Sequence, residues 1–302
     1  MTGNPVKGYA AGIISAVTFG MNPFFGIQLY QEGLKPLSVL FYRFLFASAM
    51  LGIYMLVTRK RFSFELKQLP HVIAGGVLLA ATCLAWFFSF QLMDSGIGAT
   101  IMFVYPVMVA SIMVIGFHEK LTREVLLSVI LALAGVAVLC RPGEGAVVTA
   151  AGVVLVLLSG LIYSIYIVMI KVSGLGRIAP ETLTFYTMGI GAVIFLGILG
   201  SGANLQMLPS VKALGNALGL AFFPSLLSFL LIAVSVRHIG ATVSAVLGAL
   251  EPVTAVVIGC FFFGEKFTWS LLAGIILILS SVVIIICGRK QDGQQQTFQE
   301  VK

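Results

Sequence analysis

Charge is what this chain has least of. Only 10% of its 302 residues are Asp, Glu, Lys or Arg, where a soluble domain carries about 25%. That excludes an ordinary water-soluble fold. Cysteine is scarce too. Cys83, Cys140, Cys260 and Cys287 all fall within or at the ends of apolar runs, with no CxxC pair. They read as small packing residues, against a disulfide framework or a thiolate metal site. Three histidines are present. His118 and Glu119 open the zinc pattern HExxH, but Thr122 stands where the second histidine belongs, so no metal is expected. Neither a GxGxxG loop nor a P-loop occurs, so no nucleotide cofactor is implied and ATP-driven transport or enzymatic chemistry has no motif to rest on.

Apolar residues are plentiful instead: 59% of the chain, with a mean hydropathy of +1.09. Apolar runs of about 20 residues mark spanning helices. Ten can be read, at about 8–30, 36–58, 70–93, 97–117, 122–140, 150–171, 180–200, 213–235, 239–264 and 268–288. The connections are short and leave no room for a soluble domain. One lysine precedes the first run, and no small-residue cleavage site follows a short apolar core, so this span is expected to be retained. The tail 289–302 is polar and Gln-rich and reads as disordered.

The net charge of +7 is distributed by topology and is no nucleic-acid signature. With the N-terminus placed in the cytoplasm, thirteen of the 18 basic residues fall on that side. Lys35, Arg141, Lys212 and Lys266 fall on the other, and Arg43 lies inside a span. The bias is the positive-inside signal and predicts both termini in the cytoplasm of a multi-pass protein of the cytoplasmic membrane.

The chain also repeats itself. Residues 97–120 and 239–266 both read IGAT…P…EK, and both step 13 residues from proline to glutamate (Pro106 to Glu119, Pro252 to Glu265). The step from threonine to proline is 6 residues in one copy (Thr100 to Pro106) and 10 in the other (Thr242 to Pro252), a difference of about one helical turn. Ser15 to Ile27 matches Ser159 to Lys171 at an offset of 144, which also carries Pro36 to Pro180 and Arg43 to Thr187. The expected fold is an all-α membrane protein of ten transmembrane helices in two inverted five-helix repeats, 1–141 and 150–288. An odd number of spans per half inverts the second copy. Such halves place a substrate site near the midplane, at their interface.

FGxNP at 19–23, Arg43 in span 2, the pair Glu251-Pro252, and the span ends His118-Glu119-Lys120 and Gly264-Glu265-Lys266 resemble the EamA-type drug/metabolite transporters. The resemblance covers nearly the whole chain. It departs at Phe19, where tryptophan is common, and at His118 in place of glycine. It implies a ten-helix carrier of small polar metabolites, with efflux of an amino acid or related compound as the first reading. Proton-driven uptake or exchange of another solute, such as a cationic drug, is the alternative; a passive pore is the weaker one, since no carbonyl-rich filter or acidic ring is found. The partners implied are a small-molecule substrate and the lipid bilayer. In relatives spans 5 and 10 lie outside the central cavity, and these are the faces through which a homodimer would form.

Glu251 is the sharpest candidate residue. A carboxyl in mid-span costs several kcal/mol unless protonated, paired or wet. It is either a coupling carboxyl that carries a proton or binds an amine, or a structural group locked to Arg43 or to a neighbouring hydroxyl. Pro252 lacks an N–H and its ring opposes the preceding turn, so a hinge is expected there. Pro106 is its counterpart, with Tyr105 before it. Arg43 is either a fork for a substrate carboxylate or a structural partner of Glu251, Asp94 or Glu32. Ser15, Thr18, Asn22 and Gly26 share a face of span 1; Ser159, Tyr163 and Tyr166 share the matching face of span 6. Thr82, Trp86 and Ser89 form a stripe in span 3, Ser225 and Ser228 one in span 8. Such stripes line a cavity or make tight helix contacts. Asn22, Trp86, Tyr105, Tyr163, Tyr166 and Ser228 are the expected substrate-binding residues.

Overall fold

The computed structural model describes residues 4–93, 98, 101–119, 122–139, 149–262, 269 and 272–284. Asp94, Cys140, Lys266, Cys287 and the tail lie outside the described residues, as does most of the first IGAT copy. The described residues are helical and contain no strand.

The first apolar run is broken into α1 (Pro5–Phe19) and α2 (Asn22–Gln31). The cause is local. Pro23 offers no N–H and its ring crowds the turn before it, so the helix restarts with proline in its first turn. α3 (Pro36–Val57) and α4 (Leu69–Ser89) are uninterrupted. α5 (Tyr105–Phe117) begins with Pro106 at its second position, and α6 (Arg123–Leu139) follows. α7 (Ala150–Val172) starts on the Thr149 hydroxyl, which accepts from the Gly152 N–H at 3.0 Å. α8 (Pro180–Ile198) comes next. α9 (Val211–Ala221) and α10 (Ser228–Ile239) are joined by a π-turn, Phe222–Leu227, around Pro224. The last apolar runs contain α11 (Ala241–Leu247), α12 (Leu250–Phe262) and α13 (Leu272–Ile284).

Six helical stretches are long and apolar enough to cross a bilayer: Pro5–Gln31, Pro36–Val57, Leu66–Ser89, Ala150–Val172, Pro180–Ile198 and Val211–Ile239. The remaining expected spans appear as shorter apolar helices, because proline breaks cut the fourth and ninth runs and parts of them lie outside the described residues. Ile53, Ile115, Val193 and Val283 point outward, a surface suited to lipid and not to water.

The closest packing runs between the two halves of the sequence. α1 lies on α10, α4 on α7, and α3 on α8. At the first crossing the Ser15 hydroxyl donates to the Ser228 carbonyl at 2.9 Å. At the second, the Ser159 hydroxyl donates to the Thr82 carbonyl at 2.9 Å and the Thr82 hydroxyl donates back to the Ser159 carbonyl at 2.7 Å. In a dry interior these bonds satisfy hydroxyls that would otherwise stand unpaired, and small side chains let the helices approach. Outside this bundle α6 packs on α13, where Gly135 faces Gly274 and Ile278.

Candidate functional site

Three helix breaks meet at one place. They are the α1–α2 break at Gly20-Met21, the turn at Phe103-Val104 before α5, and the α11–α12 break at Gly248-Ala249. Each is followed by a proline at the second or third position of the new helix: Pro23, Pro106 and Pro252. Unwound backbone at membrane depth is tolerated only where protein or a cavity satisfies it. A cavity is present. It is lined by Phe19, Gly20, Asn22, Pro23, Trp86, Met102, Phe103, Tyr105, Glu251 and Pro252. It spans about 440 Å³ of space free of atoms, open solvent included, of which about 40 Å³ admits the centre of a water-sized sphere. This is a narrow cavity.

Two polar side chains in its wall, Asn22 and Trp86, lack protein partners among the described residues. Neither amide atom of Asn22 has a hydrogen-bond partner among the described residues, nor does the Trp86 indole nitrogen. Both side chains are more than nine-tenths buried. Leaving such groups unsatisfied costs about 1–3 kcal/mol each, so water or a ligand is expected to supply the bonds. Glu251 is partly exposed to the cavity. The Tyr105 hydroxyl donates towards its Oε1 at 3.3 Å and towards the Ala245 carbonyl at 3.2 Å. The Ser164 hydroxyl of α7 lies within hydrogen-bond distance of the Tyr105 carbonyl, at 3.1 Å, and of the Gly160 carbonyl of its own helix, at 2.7 Å.

Glycine permits two of these contacts. A β-carbon at Gly20 would meet the Glu251 carbonyl oxygen at 2.5 Å and the Thr254 β-carbon at 2.7 Å. One at Gly248 would overlap the Tyr105 hydroxyl. The break in span 1 therefore seats the start of α12, and the break in span 9 receives Tyr105.

Arg43 does not pair with Glu251. Its Nε donates to the Ser225 hydroxyl at 2.6 Å, and its Nη2 to the Pro224 carbonyl at 3.4 Å. Its guanidinium carbon lies 5.3 Å from the centroid of the Phe87 ring. Nη1 has no partner among the described residues. The ion pairs among the described residues are Lys60–Glu181 and Lys171–Glu119. Neither the Glu251 nor the Glu32 partnership expected for Arg43 is present. The physical reason is the π-turn, which offers the Pro224 carbonyl beside the Ser225 hydroxyl. Arg43 is 1% exposed and does not snorkel.

Of the expected substrate-binding residues, Asn22, Trp86 and Tyr105 line the cavity. Tyr163 stands behind it: its ring stacks on Phe19 at 6.2 Å and meets Tyr105 edge-on at 5.2 Å. Tyr166 lies one layer deeper, stacked on Tyr163 at 6.4 Å. Ser228 serves the α1–α10 contact described above. Pro106 is buried at the start of α5 and Pro252 lines the cavity. The reading of the residues missed Met102, Phe103 and Gly248. Their signal was their position: each sits three or four residues before a mid-span proline.

The model of the EamA-like transporter family matches residues 6–141 and 150–287. An uncharacterized transporter from Archaeoglobus fulgidus is 26% identical over 278 residues, covering 92% of this chain and 95% of the relative. The uncharacterized transporter YvbV from Bacillus subtilis is 26% identical over 197 residues, covering 64% and 63%. A solved structure described only as the crystal structure of a protein superposes with a TM-score of 0.79 at 14% identity, covering 93% of this chain and 96% of that one.

Proposed function

The chain belongs to the EamA-like transporter family, and from that premise we propose that it is a secondary carrier exporting an amino acid or a related small metabolite. Its membrane character follows from the apolar helices and the family. The observation that carries the finer reading is the cavity wall. The unpartnered Asn22 amide and Trp86 N–H stand in one small cavity with the Glu251 carboxyl. Donors of this kind suit a carboxylate, and a carboxyl suits an ammonium group. An α-amino acid carries both.

Transport in this reading is a rocking of two inverted five-helix halves about the cavity, with hinges at Pro106 and Pro252. The crossings of α1 with α10 and α4 with α7, bonded through Ser15 and Ser159 at equivalent repeat positions, support that symmetry. With about 40 Å³ open to water-sized centres, the halves must part to admit a solute.

The test is a thermal-shift panel of amino acids, amines and cationic drugs on the purified protein. A solute that binds the folded state raises its melting temperature. A response to zwitterionic amino acids supports the proposal; a response to cationic drugs alone favours the aromatic wall of Phe19, Trp86, Phe103 and Tyr105 as a drug site. Counter-flow of labelled solute in vesicles separates a carrier from a pore. Both termini are placed in the cytoplasm on the charge bias, which a C-terminal reporter active only outside would overturn.

A further inference from the structure

We propose that Tyr105 is a positioning residue for the Glu251 carboxyl, and that Gly248 exists to admit its hydroxyl into the break of span 9. The contact joins α5, from the first half of the chain, to the α11–α12 break of the second. Three observations carry it. The Tyr105 hydroxyl lies within hydrogen-bond distance of Glu251 Oε1 and the Ala245 carbonyl at once. Any side chain at Gly248 would occupy the hydroxyl's place. The Ser164 hydroxyl, shared with the Gly160 carbonyl, lies 3.1 Å from the Tyr105 carbonyl on the other side.

The hydroxyl has one proton to give. When Glu251 is ionised, that proton goes to the carboxylate. When Glu251 carries a proton, the carboxyl O–H donates to the tyrosine oxygen, and the tyrosine O–H turns to the Ala245 carbonyl. That carbonyl belongs to the broken turn. In an unbroken helix it would accept from the Ala249 N–H, which here donates to the Val246 carbonyl at 3.0 Å, while the Gly248 N–H donates to Ala245 at 3.0 Å. The state of the carboxyl therefore decides how many bonds the broken turn receives. A bound ammonium would compete for the same carboxylate and release Tyr105 in the same way.

The titratable groups near the carboxyl are few. α5 contributes Tyr105, and α7 contributes Tyr163, which lies within electrostatic reach of both Glu251 and Arg43. α1 and α2 present Gly20 and Asn22, neither of which titrates. On α6 the titratable side chains are Arg123 and Glu124, in its first turn. Tyr105 is the group that bonds to the carboxyl directly.

The experiment pairs melting temperature with infrared difference spectra on Tyr105→Phe, Gly248→Ala and the double variant. The Glu251 carboxyl band is identified as the one that Glu251→Gln removes. Tyr105→Phe is expected to move that band and to lower the melting temperature only modestly, because the carboxyl also faces the cavity. Gly248→Ala alone should lower the melting temperature or the yield of folded protein, because its methyl meets the hydroxyl. Adding Tyr105→Phe removes the nearest obstructing atom, leaving the ring Cζ and the Ala245 carbonyl at 2.9 Å, and should recover part of the folded protein lost in Gly248→Ala. A carboxyl band unmoved by Tyr105→Phe, or a double variant that melts no higher than Gly248→Ala, overturns the proposal. The transport consequence rests on Glu251 as the coupling carboxyl, but the suppression test needs no transport. Should Glu251→Gln transport normally, the coupling reading falls and the contact stands or falls by its own measurement.

Discussion

Arg43 and Glu251 are both held in the interior of the helix bundle and are not each other's counter-ion. The guanidinium donates to Ser225 and Pro224 on the π-turn, and the carboxyl accepts from Tyr105. A buried charge without its opposite is retained only where hydrogen bonds or a ligand compensate it. Here the two compensations are separate. Arg43 ties span 2 to the π-turn of span 8, and Glu251 is left to face the cavity.

Arg43→Lys is therefore expected to destabilise the protein although it keeps the charge. Lysine offers one ammonium and cannot reproduce donors from Nε and Nη2 together. Losing one bond to a charged group costs about 1.5–3 kcal/mol, to be read as a lower melting temperature in detergent. Because Glu251 is no partner of Arg43, adding Glu251→Gln should give no rescue. Recovery of stability in the double variant would show that the two do pair in some populated state.

How far the sequence reached is clear from these two residues. The ten apolar runs and the repeat are read from composition and spacing, which reflect membrane thickness and helix period, and the same reading singles out Glu251-Pro252. The Tyr105 contact falls within one alternative considered for Glu251, a neighbouring hydroxyl, though nothing local says which hydroxyl. The partners of Arg43 were sought among acids, since opposite charge is the only signal a linear reading offers. A partner such as the Pro224 carbonyl of the π-turn, 181 residues away, depends on tertiary packing. The stripes at Ser15 and Ser159 were legible as polar faces, but cavity and helix contact use the same small residues. Only the crossing geometry assigns them to packing and Asn22 to the cavity.

Gly20→Ala should impair both stability and transport. The added methyl would sit 2.5 Å from the Glu251 carbonyl, and backbone yields less readily than a flexible side chain. Overpacking of this kind costs about 1–3 kcal/mol. Displacing the start of α12 would also re-aim the carboxyl. A Gly20→Ala protein with parental melting temperature and transport rate would show that α1 and α12 do not approach this closely.

Glu119→Gln should do the reverse, changing stability little and transport more. The pair with Lys171, at 3.3 Å, is about one-third exposed on each side and ties the end of α5 to the end of α7. Exposed pairs contribute about 0.2–1 kcal/mol and weaken with salt. Yet the pair joins the two halves at the end assigned to the cytoplasm. Removing it should ease opening on that side and speed counter-flow of solute supplied from there. A counter-flow rate that stays at the parental value, at low and high salt alike, would assign the pair no role in closure.

Glu251→Gln is the decisive variant for the coupling role. The amide keeps the size of the carboxyl and can still accept from the Tyr105 hydroxyl at the same oxygen, 3.3 Å away. The fold should therefore survive, with a melting temperature close to that of the parent. What the amide cannot do is bind and release a proton or neutralise an ammonium. If Glu251 performs either task, proton-linked transport should disappear while solute-induced thermal shifts weaken for amines and amino acids. The two tasks separate in the assay. Loss of coupled uptake or efflux with counter-flow intact marks a proton carrier, because exchange needs no net proton movement. Loss of both marks a binding group for the solute. Unchanged transport by a well-folded Glu251→Gln protein would leave the carboxyl only a structural bond to Tyr105, and the cavity would then have to recognise its solute through Asn22, Trp86 and the surrounding aromatic rings.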